Sequence, residues 1–135
     1  KAAAFCRIIK SGDDMATKTN AVRLVQQAGI PCREAFYEFD EQDLSGVHAA
    51  QAVGMPEEQV FKTLVARGEK TGINVFCIPV CCELDLKKAA KAFIDETCTL
   101  WDEIAVSAGA RGHQMIVPPQ PLAELVGAEL TDIIV

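Results

Sequence analysis

Two strand–turn–strand patterns limit what this chain can become. In the first, residues 59–66 are a strand-length apolar run rich in β-favouring types. Residues 67–72 hold a turn with two glycines, and residues 73–80 are again apolar and β-branched. In the second, a strand over 103–107 leads into a Gly-containing turn over 108–112 and a returning strand over 113–117. Helical patterns lie around these hairpins. Thr19 is placed to cap a helix whose apolar residues Ala21, Val22, Leu24, Val25 and Ala28 recur at helical spacing before Gly29. Residues 35–39 read as a strand with Phe36, Tyr37 and Phe39, and residues 40–46 as an acidic, turn-rich loop. A short helix over 48–53 ends at Gly54, and Pro56-Glu57-Glu58 opens another helical turn. Asp85 is placed to cap a helix from Leu86 to about Ala92. After Pro118-Pro119 a helix over 121–126 stops at Gly127, and residues 130–134 form a last strand. Hairpins with few βαβ units predict an α+β fold: a single domain with a mixed, largely antiparallel sheet flanked by helices.

Lys62 interrupts the first apolar run. Alternation puts Phe61, Thr63 and Val65 on one face and Lys62, Leu64 and Ala66 on the other, so Lys62 shares its face with apolar neighbours. Such a lysine either snorkels to water at a sheet edge or is held for its charge.

Composition narrows the function classes. The 135 residues carry a net charge of −6, half are hydrophobic and about a quarter are charged. No apolar run reaches membrane-spanning length, and residues 1–9 lack a signal-peptide cleavage pattern, which points to a cytoplasmic protein without a membrane partner. Six cysteines form no C-x-x-C pair and only two histidines accompany them, which argues against zinc or any other metal. Cys32, Cys77 and Cys98 read as small core residues, and the vicinal pair Cys81-Cys82 as ordinary cytosolic thiols. A nucleic-acid binder usually shows a basic surplus, so any tRNA contact here needs a local basic patch or a helping partner.

Several motifs resemble one family taken together. Gly46-Val47-His48-Ala49-Ala50, Gly54-Met55-Pro56 and Gln59-Val60-Phe61-Lys62-Thr63-Leu64-Val65 are similar to the signature of the YbaK family, small editing proteins related to the editing domain inserted in bacterial prolyl-tRNA synthetases. Glu83-Leu84-Asp85-Leu86-Lys87-Lys88-Ala89-Ala90-Lys91, Val106-Ser107-Ala108-Gly109-Ala110-Arg111-Gly112 and Leu130-Thr131-Asp132-Ile133-Ile134 extend the likeness over about residues 15–135. Residues 1–14 match nothing in the family and stand as an N-terminal extension without an assigned role. One departure is internal. Ala92 and Phe93 adjoin here, whereas the resemblance implies a segment of several tens of residues between them, with a Gly-Gly-x-Ser-Pro loop beside the active site.

The resemblance implies a Cys-tRNA(Pro) deacylase acting in trans, with the tRNA acceptor end as partner, prolyl-tRNA synthetase as a second partner to test, and no cofactor. Lys62 is the central catalytic candidate, since one fixed cation can orient phosphate or stabilise a carbonyl that becomes negative. Ser107 is the second, at the end of a strand whose turn offers backbone N–H groups to an anion. Tyr37, Gly109, Arg111, Gly112 and Gln114 are substrate-binding candidates. Tyr37 offers an apolar wall with a polar tip, Arg111 a phosphate contact, and Gln114 stands where some family members have aspartate. On pattern alone, 108–112 is also a plain hairpin turn and Tyr37 a core aromatic. His48 and His113 read as surface or half-buried structural histidines. Asp95, Glu96, Asp102 and Glu103 read as a solvated acidic edge. No Ser-His-Asp or Cys-His signature is present. The family's substrate supplies its own nucleophile: the cysteinyl thiol attacks its ester carbonyl and leaves as a small thiolactone, so proximity and orientation carry the rate. Two other readings remain: an editing enzyme for Ala-tRNA(Pro), and a non-catalytic module that binds an aminoacyl-tRNA end, a nucleotide or a synthetase.

Overall fold

The structure is a computed structural model that describes residues 6–9 (backbone only), 18–39, 41–42, 45–88 and 93–135. Its elements are strand β1 (Cys6–Ile9), helix α1 (Asn20–Gln27), β2 (Arg33–Tyr37), helix α2 (Gly46–Val53), β3 (Phe61–Gly68), β4 (Gly72–Pro79), β5 (Phe93–Asp95), β6 (Ile104–Ala110), β7 (His113–Val117), helix α3 (Pro119–Val126) and β8 (Glu129–Thr131). Single 3₁₀ turns occupy Glu57–Gln59 and Glu96–Leu100. The α+β class holds, and the strands divide over two sheets. One has the order β1-β2-β7-β6 and is antiparallel throughout; the other has the order β3-β4-β5-β8. In the second, β3 and β4 form the expected hairpin, while β4, β5 and β8 run parallel. Cys6–Ile9, within the stretch read as an extension, pairs on β2 as an edge strand.

The edge strands β6 and β3 meet where the sheets join, through a bridge between Val60 and Ala105. Side chains alternate across that junction. Phe61, Val106, Met115 and Val117 pack with α1 and α3 in one cluster, and Val60, Ala105 and Ile116 pack under α2 in a second. All five residues of β7 are buried, because both of its faces are covered. A third cluster of Phe76, Ile78, Phe93 and Ile133 fills the outer face of the second sheet.

Local signals act where the sequence placed them. Thr19 Oγ1 accepts from Val22 N at 3.3 Å, and Gly29 takes the left-handed conformation (φ +74°) just beyond α1. Ser45 caps α2 by accepting from His48 N at 3.2 Å, so this helix starts two residues before the expected 48. Pro119 pre-sets the helical φ at the start of α3, which therefore begins before 121.

Other expectations shift. The strand expected over 35–39 lies at Arg33–Tyr37, because pairing with β7 through Arg33↔Ile116 and Phe36↔His113 sets its limits. The second turn is shorter than 108–112: β6 runs on to Ala110 after an irregularity beyond Ser107. Of the helix expected over 86–92, residues 86–88 form a turn with Asp85 Oδ1 accepting from Lys87 N at 2.9 Å, and residues 89–92 lie outside the described residues. Asp95 is no part of a solvated edge. It is fully buried and accepts from Thr97 N (3.1 Å), Thr97 Oγ1 (2.6 Å) and Ile133 N (3.0 Å), so it ties β5 to the chain end. A carboxylate with three donors tolerates burial. Glu103 pairs with Arg33 on β2.

Candidate functional site

Beyond their bridge the edge strands part, and a cleft of about 520 Å³ opens between β3, the end of β6 and the N-terminal turn of α2. Tyr37, Lys62, Ser107, Gly109, Arg111, Gly112 and Gln114 all line it. They come from four strands and one turn, so only the folded chain brings them together.

Lys62 is half-buried on β3, and its Nζ donates to Val80 O at 3.4 Å. That carbonyl belongs to the turn after β4, whose strand pairs Ile78 opposite Lys62. The lysine's stem thus lies along apolar surface while its ammonium reaches the cleft wall. On the other face of β3, Phe61 is buried but Thr63 and Val65 are exposed, because that face is covered only where the sheets join.

Ser107 is exposed at the point where β6 becomes irregular, and its Oγ accepts from Gly109 N at 3.2 Å. Gly109 has φ +95°, a conformation that L side chains rarely adopt. Gly112 has φ +69°, and a Cβ there would sit closer than 3 Å to Tyr37 O. Gly112 O in turn accepts from Tyr37 N at 2.9 Å. The hairpin tip and the end of β2 are therefore locked edge to edge, which presents Tyr37 and the exposed Arg111 to the cleft.

Gln114 is the cross-strand neighbour of Ser107 and Ala35, on the same side of the sheet, and is 8% exposed. Beside it, His113 is 4% exposed rather than half-buried. Its Nε2 lies 3.0 Å from Glu34 Oε2, and its ring stacks on Phe36 with centroids 4.1 Å apart. It supports the sheet and does not line the cleft. His48, read as structural, does line the cleft, as do Ser45, Gly46 and Ala49 of the α2 start. Sequence reasoning gave these no role. The available signal was Gly46: any side chain there would collide with Val80 across the cleft wall.

Lys62 and Arg111 are the charged residues among the described lining, His48 aside. With the positive end of the α2 dipole, they make a cationic patch on a chain of net charge −6. Four of the thiols are held away from nucleophilic chemistry. Burial pushes Cys77 up to about 12 and Cys32 and Cys98 up to about 11, and burial with the neighbouring Cys81 pushes Cys82 up to about 11. All four are protonated near neutral pH.

Two sheets joined at their edges form an architecture shared with solved structures. A candidate trans-editing enzyme for prolyl tRNA synthetase aligns with a TM-score of 0.66 at 22% identity, covering 88% of this chain and 99% of that one. The hypothetical protein APE2540 aligns with a TM-score of 0.71 at 15% identity, covering 84% and 97%. These likenesses define the fold. In sequence, the chain is 31% identical to the inferred Cys-tRNA(Pro)/Cys-tRNA(Cys) deacylase EbsC of Enterococcus faecalis (strain ATCC 700802 / V583), over 86% of this chain and 93% of that protein. The chain belongs to the YbaK/EbsC family. No family model matches it. The alignment with EbsC spans 152 residues, whereas 86% of 135 is about 116, so about 36 aligned positions have no counterpart here. Among the described residues no helix is long and apolar enough to cross a membrane.

Proposed function

We propose that this chain is an aminoacyl-tRNA editing deacylase that clears Cys-tRNA(Pro) in trans. The observation that carries the reading is the convergence of Lys62, Ser107, Gln114 and the 109–112 turn on one cationic cleft, in a chain 31% identical to a protein named for this activity. The cleft suits a single-stranded acceptor end. Arg111 at its rim takes a phosphate, Tyr37 offers a flat wall to the terminal nucleoside, and the ester lies between Lys62 and Ser107.

The chemistry asks little of the protein. The cysteinyl thiol attacks its own ester carbonyl, the C–O bond to the ribose breaks, and the ribose oxygen takes the proton as the thiolactone leaves. Lys62 and the Ser107 hydroxyl stabilise the oxyanion that forms on the way. Holding the thiol near its carbonyl supplies the remaining acceleration. We place the positions missing relative to EbsC at the 92/93 junction, just before β5, within an editing domain over residues 15–135. If the working protein lacks a glycine loop there, its turnover is weaker than that of a relative that has one, and the mass of the intact protein decides which case holds. The cytoplasm, where charged tRNA is met, is the compartment this activity requires, and prolyl-tRNA synthetase is the partner that would deliver the tRNA.

The test is deacylation of Cys-tRNA(Pro), Cys-tRNA(Cys) and Ala-tRNA(Pro), with and without prolyl-tRNA synthetase. Thiolactone release from the cysteinyl substrates that falls about 10²- to 10³-fold in Lys62→Ala is the expected result. Faster clearance of Ala-tRNA(Pro) would change the specificity. No turnover of any substrate would replace the enzyme by a binding module.

A further inference from the structure

Cys81 and Cys82 are neighbours in the chain, and their Sγ atoms lie 3.7 Å apart. Cys81 is exposed and Cys82 half-buried, whereas Cys32 and Cys98 are buried in the core. The pair sits on a tight turn after β4, in which Cys82 N donates to Pro79 O at 3.0 Å. Between Pro79 and the pair stands Val80, which is part of the cleft wall. Its N–H donates to Val60 O at 2.8 Å, and its carbonyl accepts from Lys62 Nζ at 3.4 Å. One turn therefore carries both an accessible dithiol and the oxygen that holds the cleft lysine.

Bonding the two sulfurs moves that oxygen. Disulfides prefer Cα atoms about 4.4–6.8 Å apart, whereas consecutive Cα atoms are only about 3.8 Å apart across a trans peptide. Closure between neighbours therefore reshapes the turn. Val80 O belongs to the peptide that joins Val80 to Cys81, so reorienting Cys81 swings it. The hydrogen bond it accepts is already long, and a small rotation breaks it. Strained, exposed disulfides are also the readily reduced ones, so the change is reversible.

We propose that Cys81 and Cys82 are a reversible oxidation site whose closure to a disulfide displaces the Val80 carbonyl and so repositions the Lys62 ammonium in the cleft. The oxidant is a low-molecular-weight disulfide such as oxidised glutathione. The exposed Cys81 sulfur, as thiolate, attacks one sulfur of that disulfide, whose S–S bond breaks. One thiol leaves with the proton that Cys81 gave up. Cys82 then attacks the Cys81 sulfur of the mixed disulfide, and the second thiol leaves with the Cys82 proton. Two protein thiols are oxidised and one small disulfide is reduced to two thiols. Burial and the neighbouring Cys81 hold Cys82 up to about 11, so it does not start the exchange. It acts only in the second step, where adjacency gives it a high effective concentration.

The experiment treats the full chain with oxidised glutathione. It reads the intact mass, the cysteine linkage by peptide mapping, and the NMR signal of Lys62 after reductive methylation with isotope-labelled methyl groups. The Lys62 signal is the one lost in Lys62→Arg. Wild type is expected to lose two hydrogens through a Cys81–Cys82 bond, and its Lys62 signal to move; dithiothreitol reverses both. Cys82→Ser is expected to stop at a glutathione adduct on Cys81, and Cys81→Ser to stay unmodified at residue 82; either variant alone decides the matter if the other fails to fold. A lasting adduct on wild-type Cys81, or closure through another cysteine, overturns the oxidation site. A Cys81–Cys82 bond with an unmoved Lys62 signal overturns its link to the cleft. None of these readouts needs a tRNA substrate, so they stand whether or not the deacylase reading does. In the deacylation assay the oxidised wild type is expected to be about 10- to 100-fold slower than the reduced protein, and equal rates would also overturn the link. Absence of deacylation by the reduced protein would sink the deacylase reading alone.

Discussion

Replacing Gly112 by alanine tests the packing that shapes the cleft, with Gly109→Ala as its internal control. Both glycines have positive φ, +69° and +95°, so alanine at either is strained by roughly 1–3 kcal/mol. The surroundings differ. At Gly109 the nearest outside atom to an added Cβ is Thr19 Cβ at 4.0 Å, so strain is the whole cost. At Gly112 the added Cβ meets the backbone oxygen of Tyr37 closer than 3 Å and Phe39 Cδ1 at 3.1 Å. A backbone atom in a paired strand cannot swing aside as a side-chain tip can. The hairpin tip must move, and the Tyr37 N–Gly112 O hydrogen bond breaks, which adds about 0.5–1.5 kcal/mol. With the overpacking penalty of about 1–3 kcal/mol, Gly112→Ala is expected to cost about 2.5–7.5 kcal/mol in total, against about 1–3 for Gly109→Ala. Urea unfolding followed by fluorescence of Trp101, the single tryptophan, measures both. Any folded fraction of Gly112→Ala should lose ligand binding, since Tyr37 and Arg111 are held by this contact. Equal costs for the two substitutions would refute the close-approach argument.

Other outcomes follow from the same geometry. Asp95→Ala leaves the buried Ile133 N–H and the Thr97 donors without an acceptor and should cost about 3–5 kcal/mol by urea unfolding, whereas Asp102→Ala on the exposed turn should change stability by less than about 0.5. Burial holds the Cys77 thiol up to about 12 against an ordinary 9.0, so between those values the folded chain keeps a proton that the unfolded chain releases. Stability is therefore unaffected below about pH 9 and falls as pH rises above it. Cys77→Ala should make that alkaline decline shallower, leaving the share of Cys32, Cys82 and Cys98, read from thermal midpoints between pH 8 and 11. Binding of a short single-stranded acceptor-end RNA through Lys62 and Arg111 should depend weakly on salt, with a log–log slope of roughly −1.4 for two phosphate contacts, and Arg111→Ala should halve it. A slope steeper than about −4 would mean that a basic surface outside this cleft carries the tRNA.

How much of this was legible in the sequence varies with the range of the cause. The two hairpins, the cap at Thr19 and the helix stops at Gly29, Gly54 and Gly127 were readable, because each is set by residues a few positions apart. Likewise the motif residues that suggested a site were readable one by one. Their meeting in one cleft was not, because Tyr37, Lys62 and Ser107 are brought together by β2–β7–β6 pairing and by the β3–β6 junction. Two polar groups were misread for the same reason. Asp95 looks like part of an acidic surface run, and His113 like the half-exposed start of a strand. Burial of each depends on a distant partner, Ile133 for Asp95 and Glu34 for His113. The division into two sheets was equally hidden, since β5 is three residues long and finds its place only between β4 and β8.

By itself, then, the chain's sequence determined what local chemistry can determine: where strands turn, where helices start and stop, and which residue types could serve an ester and its phosphates. Only the tertiary structure decided which of those residues share a cleft and which acids and imidazoles are buried. The physical reason is that turns and caps are paid for within a few residues, whereas burial and convergence depend on contacts between segments tens of residues apart, whose energies no local pattern encodes.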